Sequence, residues 1–165
     1  MRALPTRVQD LIRSGEYAVH ARVRIEDPDG SVVVVGYGDA DQGAWLVSVE
    51  YGEDLDQPVS DAVVRLRRSV EDLSLAPLME DSALNRDGSG AYAPRVDVAR
   101  RIVIETQVTA PWEEPSDSAW QNVFEGVIDR MEWSGPEVTL YCRDLGALLV
   151  DRWVEQETTY GDPEG

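Results

Sequence analysis

One stretch, Phe124 to Leu149 (FEGVIDRMEWSGPEVTLYCRDLGALL), constrains this chain more than any other. From Phe124 to Arg130 the residues alternate. Phe124, Gly126 and Ile128 fall on one side of an extended segment, and Val127 and Asp129 on the other. Trp133-Ser134-Gly135-Pro136 reads as a turn, because Gly accepts unusual φ and Pro cannot continue a ladder. Glu137 to Arg143 alternates again, with Val138, Leu140 and Cys142 sharing a side. Two alternating runs around a turn predict a β-hairpin. Asp144 then stands at an N-cap position, ahead of Leu145, Leu148 and Leu149 at helical spacing. Phe124, Ile128, Val138, Leu140, Leu145 and Leu148 are the expected shared core.

The rest of the chain extends this β pattern. Leu4, Val8, Leu11 and Ile12 repeat at helical spacing, with Thr6 and Gln9 as a capping box and Gly15 as the stop. Tyr17 to Glu26 predicts a strand with Tyr17, Val19, Ala21, Val23 and Ile25 inside. Asp27-Pro28-Asp29-Gly30 turns it back into Ser31–Val35. Further strands are expected over Ala44–Tyr51, with Trp45, Val47, Val49 and Tyr51 in register, and over Val59–Arg68, with Ala62, Val64 and Leu66 inward. Another is expected over Arg100–Val108, and a last one over Trp153–Tyr160. Asn85 to Gly90 is rich in Gly and Ser and reads as the most flexible stretch. The total is about eight strands and two or three short helices, with turns at the spacing of an all-β barrel or sandwich. The absence of long helices between strands argues against a doubly wound fold.

Bulk properties narrow the function classes. A length of 165 residues suits a single domain, and a hydrophobic fraction of 42% supplies a core. The chain carries 15 basic and 32 acidic residues, a formal charge of −17, and every cation is Arg. Phosphate neutralisation needs clustered Lys and Arg, so stable nucleic-acid binding is not expected. Cys142 is the single cysteine; its alternation with Val138 and Leu140 suits a buried, inert thiol. No run approaches a membrane span of about 18 apolar residues. His20, the one histidine, lies on a polar strand face with no nucleophile or ligand set beside it in the sequence.

The candidate chemistries each meet a simpler reading. Asp27–Gly30 and Asn85–Gly90 lack the closing bidentate Glu of an EF-hand loop, so they read as turns and no metal or other cofactor is expected. Gly36-Tyr37-Gly38 and Gly88-Ser89-Gly90 lack phosphate-loop spacing. Carboxylate pairs are too numerous to single out an acid and a base, so no catalytic residues are assigned and an enzyme is not expected. Arg65, Arg67, Arg68, Arg100 and Arg101 form the basic clusters. They read either as solvated strand faces or as bidentate contacts to acidic neighbouring subunits.

The motif F-E-G-x-I-D at Phe124–Asp129, followed by V-T-L-x-C-R-D-L-x-x-L-L at Val138–Leu149, resembles the hub proteins at the tip of bacteriophage tails. These include baseplate hubs and tail-tip hubs. The resemblance takes in Ser48–Pro58 and Leu73–Met79 and ends near Tyr160-Gly161, so it covers most of the chain. It implies an antiparallel, tail-tube-like β-barrel over residues 1–160, with 161–165 starting a linker to a further domain. It implies a homotrimeric structural subunit of the virion tail tip or baseplate, assembled in the host cytoplasm, that joins the tail tube to the tip and lets DNA pass. The implied partners are further copies, the distal tail or tail tube protein, and the tape measure protein. The acidic loop Gly52–Gln57, with Glu53, Asp54 and Asp56, is then a candidate for facing the channel or a neighbouring subunit. The alternative is a β-sandwich module binding host-surface carbohydrate; exposed aromatics on one loop rim would favour it.

Overall fold

The computed structural model describes residues 5–26, 30–37, 45–52, 60–67, 69–70, 73–74 and 96–146. A short helix, α1 (Thr6–Ser14), opens the chain. The capping box is not formed. Pro5 occupies the N-cap, no side chain caps the helix, and Thr6 is its first residue. Proline fixes φ near the value that leads into a helix, so the entry is set by backbone rather than by a hydroxyl. Gly15 ends it at φ 74°, its N–H donating to Ile12 O at 3.2 Å.

Seven strands follow in one antiparallel sheet: β1 (Ala18–Glu26), β2 (Val32–Gly36), β3 (Leu46–Gly52), β4 (Asp61–Arg67), β7 (Arg101–Thr109), β8 (Gln121–Ser134) and β9 (Glu137–Asp144). Their order is β2-β1-β7-β8-β9-β4-β3. A two-stranded ladder, β5 (Ser69–Val70) with β6 (Leu73–Ser74), stands apart, and a 3₁₀ turn covers Asp117–Ala119. Leu145 begins another helical turn at the limit of the described residues.

One face of the sheet is dry. Val23, Ile25, Val33, Val35, Trp45, Val64, Leu66, Ile102, Ile104, Ile128, Val138 and Leu140 are fully or almost fully buried, joined by Phe124, Ala62 and Cys142. The registers Val23↔Ile104, Ala62↔Cys142 and Val64↔Leu140 place them side by side across the ladders. Gly126 is where the central hairpin closes most tightly. A Cβ there would lie 2.1 Å from Arg143 O and 2.9 Å from a Phe124 ring carbon, so no side chain fits.

The structure departs from simple alternation at three bulges, between Leu46 and Ser48, Ile104 and Glu105, and Ile128 and Arg130. An extra residue reverses the side of everything after it. At the first bulge Val47 turns out and is 44% exposed, while Leu46 takes the inner side opposite Leu66. The turn of the central hairpin shrinks to Gly135-Pro136, because β8 runs on through Trp133 and Ser134. The inner face is also wet at one end. Tyr17, Val19 and Tyr51, expected inside, are exposed because the barrel-like curl leaves that end open. Among the described residues, Val8 and Ile12 of α1 lie over it, beside Val49, Val108 and Val123.

The barrel expectation is corrected in one respect: among the described residues the sheet stays open between β2 and β3. Its two ends approach one another without a ladder, the Leu46 side chain of β3 lying against the β2 backbone at Gly36. A Cβ on Gly36 would fall 2.9 Å from Leu46 Cδ2, and Ser48 Oγ is buried in that region without a hydrogen bond. Side-chain contact without a ladder gives a curled sheet, not a closed one.

Candidate functional site: the polar outer face and its cleft

The outer face of β1, β7 and β8 carries an ion-pair lattice. Arg101 donates to Glu26 on β1 and to Glu125 on β8, each at 2.6 Å, so one guanidinium ties three adjacent strands. The hydrogen bond from Arg101 holds the Glu125 carboxyl below its ordinary value, and the same contact raises Arg101. Arg22 donates Nε–H to Glu105 at 2.6 Å, and Glu105 is only 9% exposed. Arg24 lies 3.8 Å from the same carboxylate. Burying a carboxylate this deeply is costly unless partners such as these satisfy it.

Aromatic and polar groups continue this face. The Arg22 guanidinium sits 4.4 Å over the Trp120 ring, a cation–π contact. His20 is half-buried, with Nε2 3.0 Å from Thr109 Oγ1 and its ring edge-on to Tyr37. Beyond β7 the chain leaves the sheet through residues 110–120, rich in Pro, Ser and acid, and re-enters it at Gln121. Arg7 on α1 pairs with Glu113 and pins this loop to the helix. Between loop, helix and strand lies a cleft of about 710 Å³, lined by Gln107, Glu113, Glu114, Ser116, Ser118 and Trp120 among others. Gln107 is 8% exposed and its Oε1 has no hydrogen-bond partner. Trp112, on the same loop, is 75% exposed.

The residues singled out from the sequence are scattered. Arg65 and Arg67 project from the outer face of β4; Arg65 lies 3.9 Å from Glu50. Arg101 is committed to the intramolecular lattice. The Arg100 backbone bonds to Ile128 and Asp97, and its side chain is half-buried. Arg68, Leu148 and the loop carboxylates Glu53, Asp54 and Asp56 lie outside the described residues, as does the flexible-looking stretch Asn85 to Gly90. Phe124, Ile128, Val138 and Leu140 sit in the core, whereas Leu145 is 39% exposed. Asp144, read as a helix N-cap, also ends β9, where its carboxylate accepts Ser60 N–H at 2.7 Å. Cys142 is buried, and desolvation pushes its thiol up to about 12, with Asp129 adding to the shift. At that value it is protonated and not a nucleophile. Among the described residues no group of three His, Cys, Asp or Glu side chains is arranged to hold a metal ion. No helix among them is long and apolar enough to cross a membrane.

The cleft itself was not singled out from the sequence. Its signal was the outer side of β7, Val103-x-Glu105-x-Gln107-x-Thr109, where four residues opposite the core side are themselves buried. Alternation assigns that side to solvent. Only the packing of β1, the loop and Trp120 over it reverses the assignment.

No protein-family model and no curated protein matches the chain. Among solved structures, the fold is similar to that of a chain in the virion of a native gene transfer agent particle, with a TM-score of 0.55 and 14% sequence identity. The similarity covers 98% of this chain and 48% of the other, so the present chain spans about half the length of its structural neighbour.

Proposed function

We propose that the protein is a structural subunit of a phage-like virion, and that within it this fold serves as a tail hub domain. The observation that carries this reading is the likeness of nearly the whole chain to about half of a gene transfer agent virion protein. Independent support comes from the motif that resembles tail hubs. Its Gly126 has a structural reason, since the β9 backbone crosses where its Cβ would be. The finer reading is a homotrimeric ring joining tail tube to tip, in contact with the distal tail or tube protein and the tape measure protein, and open to passing DNA. The net charge of −17 suits a wall past which phosphates slide without sticking. In that setting Glu53, Asp54 and Asp56 face the channel or a neighbouring copy. The chemistry is that of assembly rather than catalysis.

Native mass spectrometry of the purified protein, alone and coexpressed with its neighbouring tail genes, tests this. A trimer that recruits a tail protein is expected; a monomer that recruits none at tens of micromolar overturns the reading. One observation favours a second reading, a carbohydrate-binding module: Trp112 is exposed on the rim of the cleft loop. Loss of adsorption to isolated host cell-wall saccharide in Trp112→Ala, with oligomeric state unchanged, would select it.

A further inference from the structure

The cleft beneath residues 110–120 is lined by an acceptor that the fold leaves unpaired. Gln107 is more than nine-tenths buried, and its Oε1 lacks a donor. Leaving such a group dry and unpaired is costly, so a native chain holds one where something else completes it. The side chains around it narrow what that is. The Glu113 and Glu114 carboxylates can only accept hydrogen bonds, and Glu113 already accepts from Arg7, which also lines the cleft. The Ser116 and Ser118 hydroxyls lie 3.2 Å apart and bond to each other. Trp120 already holds one guanidinium, that of Arg22, at 4.4 Å. A cleft lined by two carboxylates, two hydroxyls and an indole, with one guanidinium already on Glu113 and another on Trp120, suits a further planar, multiply donating cation.

The chain has one kind of cation, arginine, and two exposed ones on a different flank. Arg65 and Arg67 stand on the outer face of β4, which lies three places from β7 in the sheet order β7-β8-β9-β4. The curl brings the two ends of the sheet within side-chain contact, so β4 and β7 occupy opposite flanks of the molecule. We propose that the cleft is the socket of a head-to-tail contact between copies of this chain, filled by an arginine of the next copy's β4 face. Two different patches on opposite flanks make a heterologous contact, the kind that closes into a ring. The contact also places opposite charges at the joint between bodies of net −17, where repulsion would otherwise act. This inference rests on the proposed self-assembly and names its joint.

A charge-swap cycle read by sedimentation velocity on the full chain tests it. Glu114→Arg should weaken self-association at least tenfold, and so should Arg65→Glu or Arg67→Glu, whichever removes the entering arginine. Combining Glu114→Arg with the change at the entering arginine should restore it, and the arginine that restores is the one that enters. Gln107→Leu, folded by circular dichroism, should weaken assembly without changing the salt dependence. Assembly indifferent to all four single changes, or lost in both double variants, overturns the socket while leaving self-assembly standing. A wild-type chain that never associates removes the self-assembly reading itself, and the socket with it.

Discussion

At the residue scale, the fold turns on positions where one atom more or less is felt. Gly126 is the sharpest. A methyl at that position meets the β9 backbone at 2.1 Å, and backbone cannot swing aside as a flexible side chain can. Gly126→Ala is expected to destabilise by about 1–3 kcal/mol, the range of overpacking strain, read from a urea titration. An unchanged midpoint would show that the hairpin does not close there. Glu125 gives a pH test. Its folded pKa lies below the ordinary carboxylate value because Arg101 donates to it. Its contribution is therefore fully present above the ordinary value and is lost as pH falls through the lowered folded one. The carboxylate is one-third exposed, so the contribution is screened to about 0.2–1 kcal/mol. The gap between wild type and Glu125→Gln is expected at pH 7 and should close as pH falls through the lowered folded value. A gap that widens in acid would contradict the lattice.

At the scale of elements, the central hairpin was legible because its side chains obey a period of two and its turn carries Gly-Pro. Val138, Leu140 and Cys142 alternate without a break, and all three are buried. β4 was equally plain, since Ala62, Val64 and Leu66 alternate with polar residues. The pattern misleads where a bulge inserts a residue, as at Val47, because a sequence period has no mark for an extra unpaired residue. It misleads again at the open end of the sheet, where Tyr17, Val19 and Tyr51 keep the inward parity of a core but stay exposed. The cleft was hidden for the converse reason. Gln107 and Glu105 look like solvent-facing residues until the loop and β1 cover them. The hairpin and the turn after it should accordingly differ in energy. Phe124→Ala is expected to cost about 3–5 kcal/mol, as core aromatic truncations do. Leu145→Ala, at a position 39% exposed, should cost less than about 1 kcal/mol. Equal losses in a denaturant titration would mean that Leu145 is core after all.

At the scale of the whole molecule, charge decides how copies meet. Two bodies of net −17 repel over the Debye length, about 30 Å at 0.01 M salt and about 8 Å at 0.15 M. An arginine seated in the cleft would interact over about 3–4 Å, short of either length and partly shielded from solvent. Raising salt from about 0.01 to 0.15 M therefore removes more repulsion than attraction, and self-association should tighten over that range in sedimentation. A steady weakening would mean that exposed ion pairs carry the contact. The central claim, that this curled sheet is a building block of a virion tail tip, is tested most directly by cryo-electron microscopy of the intact particle. The account expects the seven-stranded sheet to fit density in a ring between tail tube and tip, with the β7 flank of one copy against the β4 flank of the next. A ring at that position built from another fold, with this chain absent from the particle, would contradict it.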